Sequence, residues 1–414
     1  MKLKKRFNLT IYNLWIMTLA VLVLIGLASG ITVFVRGLSI TNLSDVVPWG
    51  LWIVIDLSSI ALGAGAFMLS AAVYLLGLKQ FKPVAKTAVF IGLIGYSMAM
   101  MMLLLDIGRP DRFWHGFVFW NYHSPLWEVT MCVGLYFTVL TLEVLPIFGQ
   151  ADWMQKRWPR LAGRLESIHH YGMILAIAGL GLSMLHQSSL GATYGVLQAR
   201  PIWYRPGLAV LFIVSAMAAG PSLTVLASTI AARVTNRAVV NEEVLDQLTK
   251  FIGWVLVAYL YLRFWDTLSM GYNYEPARTE GLQLLTRGSL SFNFWVGEIV
   301  LGIAVPAVIL LTKKLRQDKR LRTFAVLLVV GGLAAYRWDT NMVGQLVVFN
   351  QLPQGALQYT RYFPSLVEFG AGIGVIAYGL LAFTLGVRYL KIVDHGNVEI
   401  TEPVPQNIAV ATAD

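Results

Sequence analysis

Ten separate stretches of this chain are apolar over the length a helix needs to cross a bilayer, and that narrows the possible folds more than any motif does. Crossing the hydrocarbon takes about 20 mainly apolar residues at 1.5 Å each. The stretches run roughly over 11–35, 50–78, 84–106, 126–148, 169–190, 207–232, 248–270, 290–312, 323–339 and 366–392. A helix satisfies its own backbone hydrogen bonds, which lipid cannot do. The chain therefore reads as an all-α integral membrane protein of about ten transmembrane helices. The ninth stretch is the shortest and ends on charges.

Composition leaves little soluble mass beside these spans. Of 414 residues, 57% are hydrophobic and 13% charged, about half the charge of a soluble domain. The formal charge of +10 does not read as nucleic-acid binding, because the Lys and Arg lie in short loops. The single cysteine, Cys132, sits in an apolar run and reads as a small core residue. Iron–sulfur clusters and c-type haem need several cysteines at close spacing, so neither is expected, nor is any disulfide or metal site. The N-terminus, Met1-Lys-Leu-Lys-Lys-Arg6, leads into the first apolar run, where Ala28-Ser29-Gly30 loosely imitates a signal cleavage site. That run exceeds a typical signal-peptide core, so it reads as a retained helix. The membrane domain is expected over 1–392, with a polar cytoplasmic tail over 393–414.

Orientation follows from the basic residues. One set of loops carries Lys2, Lys4, Lys5 and Arg6; Lys79, Lys82 and Lys86; Lys156, Arg157, Arg160 and Arg164; Arg233 and Arg237; a run of six from Lys313 to Arg322; and Arg388 and Lys391. The alternate loops carry Arg36, Arg109, Arg112, Arg200, Arg205, Arg278, Arg287 and Arg361. The excess is more than two to one. Cytoplasmic loops are enriched in Lys and Arg, so both termini are expected in the cytoplasm. The outer loops hold Trp49, Trp114, His115, Trp120, Tyr122, His123, Trp203 and Tyr204, and aromatic residues are common at a membrane interface. Helices 2–5 and 6–9 form two sets of like orientation. Their second members end in Asp106 and Asp266 and their third members carry Glu128 and Glu298, a weak internal repeat.

Ionisable groups inside the spans mark function, since charge in lipid is costly. Asp56, Asp106, Glu128, His186, Arg263, Asp266, Glu298, Arg337, Asp339 and Glu368 lie within or at the edge of a span, most toward the outer face. Asp56 and Glu298 fall about 10 Å from that face by helical rise. Carboxylates beside an imidazole in a partly dry pocket suit proton movement near neutral pH. A quinone headgroup needs such groups, as donors to its carbonyls and as a proton exit. Asp56, Asp106, Glu128 and His186 are the candidates, although Asp106 also reads as a cap on the Arg109 loop. Arg263 with Asp266, and Arg337 with Asp339, read as buried ion pairs. Glu143 lies about 22 Å along its helix from Glu128 and is placed to begin a proton path from the cytoplasm, or else to snorkel at the interface. His169 and His170 open helix 5 near the same interface. The stretches Gly63-Ala-Gly65-Ala66, Gly179-Leu-Gly181 and Gly370-Ala-Gly372-Ile-Gly374 suit close helix packing.

Two other chemistries compete. A cytochrome b needs histidines at matched depth on facing helices, whereas the three near spans, His169, His170 and His186, share helix 5. A proton-coupled transporter also uses repeats and intramembrane charge. It stands as the alternative, beside a purely structural anchor. Transporter sites tend to lie at the midplane next to broken helices, while the charges here crowd one face.

Pro48-Trp-Gly-Leu-Trp52, Asp106-Ile-Gly-Arg-Pro-Asp-Arg-Phe-Trp114, Ser124-Pro-Leu-Trp-Glu128, His186-Gln-Ser-Ser-Leu-Gly191, Tyr261-Leu-Arg-Phe-Trp-Asp266 and Tyr362-Phe-Pro-Ser-Leu-Val-Glu368 resemble the NrfD/polysulfide reductase membrane-subunit family in its ten-helix branch (the HybB and DsrP types, and the membrane subunits of the quinone reductase complex and alternative complex III). The likeness covers roughly 40–390. It implies two four-helix bundles, about 50–190 and 207–339, flanked by helices 1 and 10. It implies a multi-pass subunit of the prokaryotic inner membrane that binds menaquinone or ubiquinone near the outer face and holds no haem or iron–sulfur cluster. A periplasmic iron–sulfur, ferredoxin-like partner with further redox subunits would complete the oxidoreductase, since this chain alone is not a complete enzyme. By that resemblance the quinone pocket draws on Asp56, Asp106, Glu128 and His186, with Trp52, Arg109, His115, His123 and Trp127 around the headgroup. A proton path would use Glu143, His170, Asp266 and Glu298.

Overall fold

A computed structural model describes residues 10–235, 242–350, 356–390 and 392. The basic N-terminal cluster, Arg237, Lys391 and the tail expected over 393–414 lie outside the described residues. Ten helices are long and apolar enough to cross a membrane: α1 Ile11–Arg36, α2 Leu51–Tyr74, α3 Lys82–Asp106, α4 Pro125–Gly149, α5 Gly172–Gly195, α6 Gly207–Thr235, α7 Glu242–Ser269, α8 Asn293–Leu311, α9 Lys319–Leu346 and α10 Leu366–Tyr389.

Helix starts follow local chemistry. Ser124 accepts from the Trp127 amide ahead of Pro125, so α4 begins with a side-chain cap and a proline at its first position. Ser365 and Glu368 close a reciprocal capping box on α10, and Asp318 caps α9.

The helices touch in a recurring pattern. In the first set α2 meets α3, α3 meets α4, α4 meets α5, and α5 returns to the second half of α2; α6, α7, α8 and α9 repeat the circuit. Helix α6 also lies against α5 and α2, and α9 against α2, so one apolar core runs through both sets. Helices α1 and α10 pair with each other and lie on α3 and α2. The most enclosed helix is α2, with 82% of its apolar window buried against 17% for α1.

Small residues set the closest approaches. A Cβ on Gly374 would run into the Gly26 backbone, and one on Gly65 would come within 2.7 Å of the Gly220 carbonyl oxygen. Gly181 differs from the expectation of tight packing, since nothing lies within 4 Å of the position its Cβ would take.

Several boundaries depart from the apolar pattern. The expected ninth span ends at residue 339, whereas α9 continues to Leu346. Its last turns are polar but buried and satisfied: Asn341 and Gln345 donate to the Trp49 carbonyl at 2.8 Å each, and Tyr194 donates to Asn341 at 2.8 Å. Tertiary hydrogen bonds, not hydropathy, extend this helix and tie it to the entrance of α2. Helix α2 is interrupted at Ala64, and α8 is a π-helix over Asn293–Ala304. The all-α expectation also omits a small antiparallel hairpin, β1 Val347–Asn350 with β2 Ala356–Tyr359.

Every lysine among the described residues lies at or near one end of the helices. The opposite, lysine-free end carries the loops after α1, α3, α5, α7 and α9.

Candidate functional site

A buried polar stripe on α5 lies between the helices of the first set. Ser183, His186, Gln187, Leu190 and Tyr194 recur at spacings of three and four and are all buried, so they share one helix face. Tyr96, on the buried side of α3, meets this stripe: its hydroxyl lies 2.8 Å from His186 Nδ1. Tyr136 of α4 packs edge-on against Tyr96, with ring centroids 4.7 Å apart. Ser183 sits beside both tyrosine hydroxyls, and neither contact has the distance and angle of a formed hydrogen bond. Asp56 of α2 is buried and lies within electrostatic reach of Asp106, Tyr96 and Tyr194, and of Arg337 from the second set.

These groups are short of partners. Asp56 Oδ1, Asp106 Oδ1, Tyr136 Oη, Ser183 Oγ, His186 Nε2 and both amide atoms of Gln187 are buried without a hydrogen bond. An unmet buried polar atom costs about 1–3 kcal/mol, and native interiors hold few of them. Seven such atoms on four neighbouring helices make this a region suited to a polar occupant. Glu128, half-buried in the first turn of α4, joins from the side: Ser189 of α5 donates to its Oε1 at 2.6 Å. The structure thus gathers Asp56, Asp106, Glu128 and His186 among α2–α5.

The residues expected around a headgroup are more dispersed. Trp52 points to the α10 side, where its indole donates to the Glu368 carbonyl at 3.1 Å. Glu368 accepts from Asn42, Ser365 and Tyr362, so its carboxyl holds a loop to a helix start. Burial, together with the bond to Glu368, pushes the Tyr362 hydroxyl pKa upward. Arg109 is exposed and pairs with Asp111 at 2.8 Å, which holds the Asp111 carboxyl below the usual range. His115 packs on Trp114 and Phe119, and His123 lies exposed beside Tyr122. The Trp127 indole donates to the Gly116 carbonyl at 2.9 Å. Arg109, His115 and His123 belong to the aromatic loop segment over 107–124 at the lysine-free end, and Trp127 lies in the first turn of α4 beside it.

At the lysine-bearing end a cavity of about 160 Å³ opens among α2, α3, α4 and the start of α5. Glu143 lines it with Tyr74, Lys82, Lys86, Gln150 and His169. His170 is exposed and bonds the Ser167 carbonyl. Two helical turns separate Glu143 from Tyr136 on one face of α4, and the two interact electrostatically.

In the second set Asp266 and Glu298 belong to a continuous buried ion network. Arg263 binds Glu298 through Nε at 2.8 Å and Asp266 through Nη1 at 3.0 Å, and Arg205 binds Asp266 at 2.7 Å. Tyr259 donates to Glu298 at 2.9 Å. The expected Arg263–Asp266 pair is therefore present. The expected Arg337–Asp339 pair is not: residues two apart on a helix face different ways. Arg337 stacks over Phe212 at 3.6 Å and donates to the Phe212 carbonyl and Ser215, while Asp339 accepts from Asn293.

Tyr96, Tyr136, Ser183, Gln187 and Arg205 are not among the site residues expected from sequence. The signal for three of them was periodicity: Ser183 and Gln187 share the helical face of His186, and Tyr136 shares that of Glu143. Tyr96 and Arg205 carry no such mark, because their partners are remote in sequence.

Comparison with known proteins identifies the family. The family model described as polysulphide reductase, NrfD matches residues 39–349. The menaquinone reductase integral membrane subunit of Nitratidesulfovibrio vulgaris is 35% identical over 401 residues, covering 94% of this chain and 93% of its own. The Hdr-like menaquinol oxidoreductase integral membrane subunit of Archaeoglobus fulgidus is 26% identical, covering 87% and 89%. The probable Ni/Fe-hydrogenase 2 b-type cytochrome subunit of Escherichia coli is 28% identical, covering 86% of each chain. With the family pattern matched over most of its length and a relative aligned almost end to end, the chain belongs to the polysulphide reductase, NrfD family.

Proposed function

We propose that this chain is the quinone-interacting membrane subunit of a respiratory oxidoreductase complex. It exchanges electrons with an iron–sulfur partner at the lysine-free end, which faces the periplasm of a prokaryotic inner membrane, and both termini are cytoplasmic. The observation that carries the reading is the set of unmet buried atoms on Asp56, His186 and Gln187. A quinone headgroup fits that set, because its two carbonyl oxygens accept hydrogen bonds and its reduction consumes protons. His186 and Gln187 would donate to the headgroup carbonyls, and Asp56 and Glu128 would accept from the hydroxyls of its quinol form and exchange the protons there. The bound quinone supplies the two-electron, two-proton chemistry. The names of two relatives, a menaquinone reductase subunit and a menaquinol oxidoreductase subunit, support menaquinone as the quinone.

Protons reach the site from the lysine-bearing end in this proposal. Glu143 at the cavity, then Tyr136, Ser183 and Tyr96, form a row of exchangeable groups leading to His186. Asp266 and Glu298 act in the ion network of the second set. The transporter alternative gains little from the break in α2, because Gly65 there packs on Gly220 and Thr224 rather than on charge.

The test is binding of a quinol analogue to the solubilised complex. Asp56→Asn, Glu128→Gln and His186→Ala should each weaken it by about tenfold or more, as expected when a hydrogen bond to a ligand is lost. Unchanged binding in all three sinks the proposal.

A further inference from the structure

We infer that Tyr96 is a positioning residue that fixes the tautomer of His186, holding its Nε2–H toward the interior of α2–α5. Both side chains are fully buried, and Tyr96 Oη lies 2.8 Å from Nδ1. In a neutral imidazole one ring nitrogen donates and the other accepts, and the bond made by one decides the role of the other. Two arrangements are open. If Tyr96 donates to Nδ1, its proton and that nitrogen are both satisfied, and a single unmet group remains, the Nε2–H. If Nδ1–H donates to Tyr96, the phenol proton needs another acceptor. Ser183 Oγ is the neighbour, but it does not stand at the distance and angle of a formed hydrogen bond, and His186 is the one partner so placed for the Tyr96 hydroxyl among the described residues. Nε2 would then also be bare, leaving two unmet groups. Every buried polar group left without a partner carries its full desolvation penalty, so the arrangement with one such group prevails over the arrangement with two.

Tyr96 thereby sets the polarity of the site. An Nε2–H seeks an acceptor, and a carbonyl oxygen is one; the alternative tautomer would present a lone pair and repel it. This step rests on the quinone reading, whereas the tautomer itself does not.

The test uses the full chain, purified and labelled with ¹⁵N-histidine, with His186→Gln to assign the His186 signals. The wild type should show the Nε2–H tautomer. Tyr96→Phe removes one hydroxyl and keeps the ring, and it should give a mixed tautomer and about tenfold weaker binding of a menaquinone analogue. Val133→Ala, a truncation in the same buried core that removes no polar group, should change neither, which separates a positioning role from a packing one. A wild-type Nδ1–H tautomer, or a Tyr96→Phe spectrum identical to wild type, overturns the inference. A shifted tautomer with analogue binding unmoved by both Tyr96→Phe and His186→Gln upholds the tautomer assignment and defeats the quinone pocket instead.

Discussion

Removing Arg263 should destabilise this protein severely, and removing the Glu298 charge with it should restore most of the loss. Arg205, Asp266, Arg263 and Glu298 alternate in sign along contacts of 2.7, 3.0 and 2.8 Å, so the buried network is neutral as a whole. Arg263→Met leaves one negative charge in excess, with Glu298 buried and answered only by the Tyr259 hydroxyl. Breaking a buried pair by deleting one partner costs about 3–5 kcal/mol. Glu298→Gln alone leaves one positive charge in excess and should cost a similar amount. The double variant is neutral again. The glutamine that replaces Glu298 can still accept from Tyr259, and Asp266 keeps Arg205. The double variant should therefore recover to within about 1–2 kcal/mol of wild type, the remainder reflecting lost hydrogen bonds. The assay is denaturant unfolding of the purified protein in detergent, followed by tryptophan fluorescence and read as a double-mutant cycle. Additive losses would refute the reasoning, since they mean the two charges do not compensate each other. A cost for Arg263→Met below about 1 kcal/mol would refute it equally, by showing that water reaches the network.

Three further outcomes are expected. Gly374→Val should lower stability by about 1–3 kcal/mol through overpacking against the Gly26 backbone, while Gly181→Val, which meets nothing, should leave the melting curve in place. Glu143→Gln should slow quinone-linked turnover of the complex by about tenfold or more, as for loss of a proton-transferring group, with analogue binding unaltered; equal turnover would remove Glu143 from the proton route. Because Cys132 is the only cysteine and is buried, added cysteines can report orientation. Asp111→Cys should react with an impermeant maleimide on intact cells and Arg157→Cys only after permeabilisation; the reverse pattern inverts the assignment of the two ends.

The ten spans were legible because hydropathy acts over whole helices, and lipid imposes it on each one. What escaped depends on contacts between helices. The final turns of α9 look like a loop in hydropathy, yet Asn341 and Gln345 are buried because the Trp49 carbonyl accepts from both and Tyr194 donates to Asn341. The Arg337–Asp339 pair was expected from proximity in sequence, and helical geometry separates the two side chains. Arg263–Asp266, three apart, was expected and is present, so spacing succeeded where it matched the helical repeat.

The site divides along the same line. Asp56, Asp106, Glu128 and His186 stand out in sequence because ionisable groups are rare in apolar runs. A tyrosine in a span is ordinary by composition, so Tyr96 was invisible, although it supplies the only side-chain hydrogen bond to His186 among the described residues. The charged residues therefore tell where polar chemistry is placed, but not which hydrogen His186 carries. That choice is made by a hydroxyl 90 residues away in sequence, on a different helix. If His186 donates to an acceptor in this interior, the direction of the donation originates in α3, and substitutions there should alter ligand preference without touching any of the acids or the imidazole.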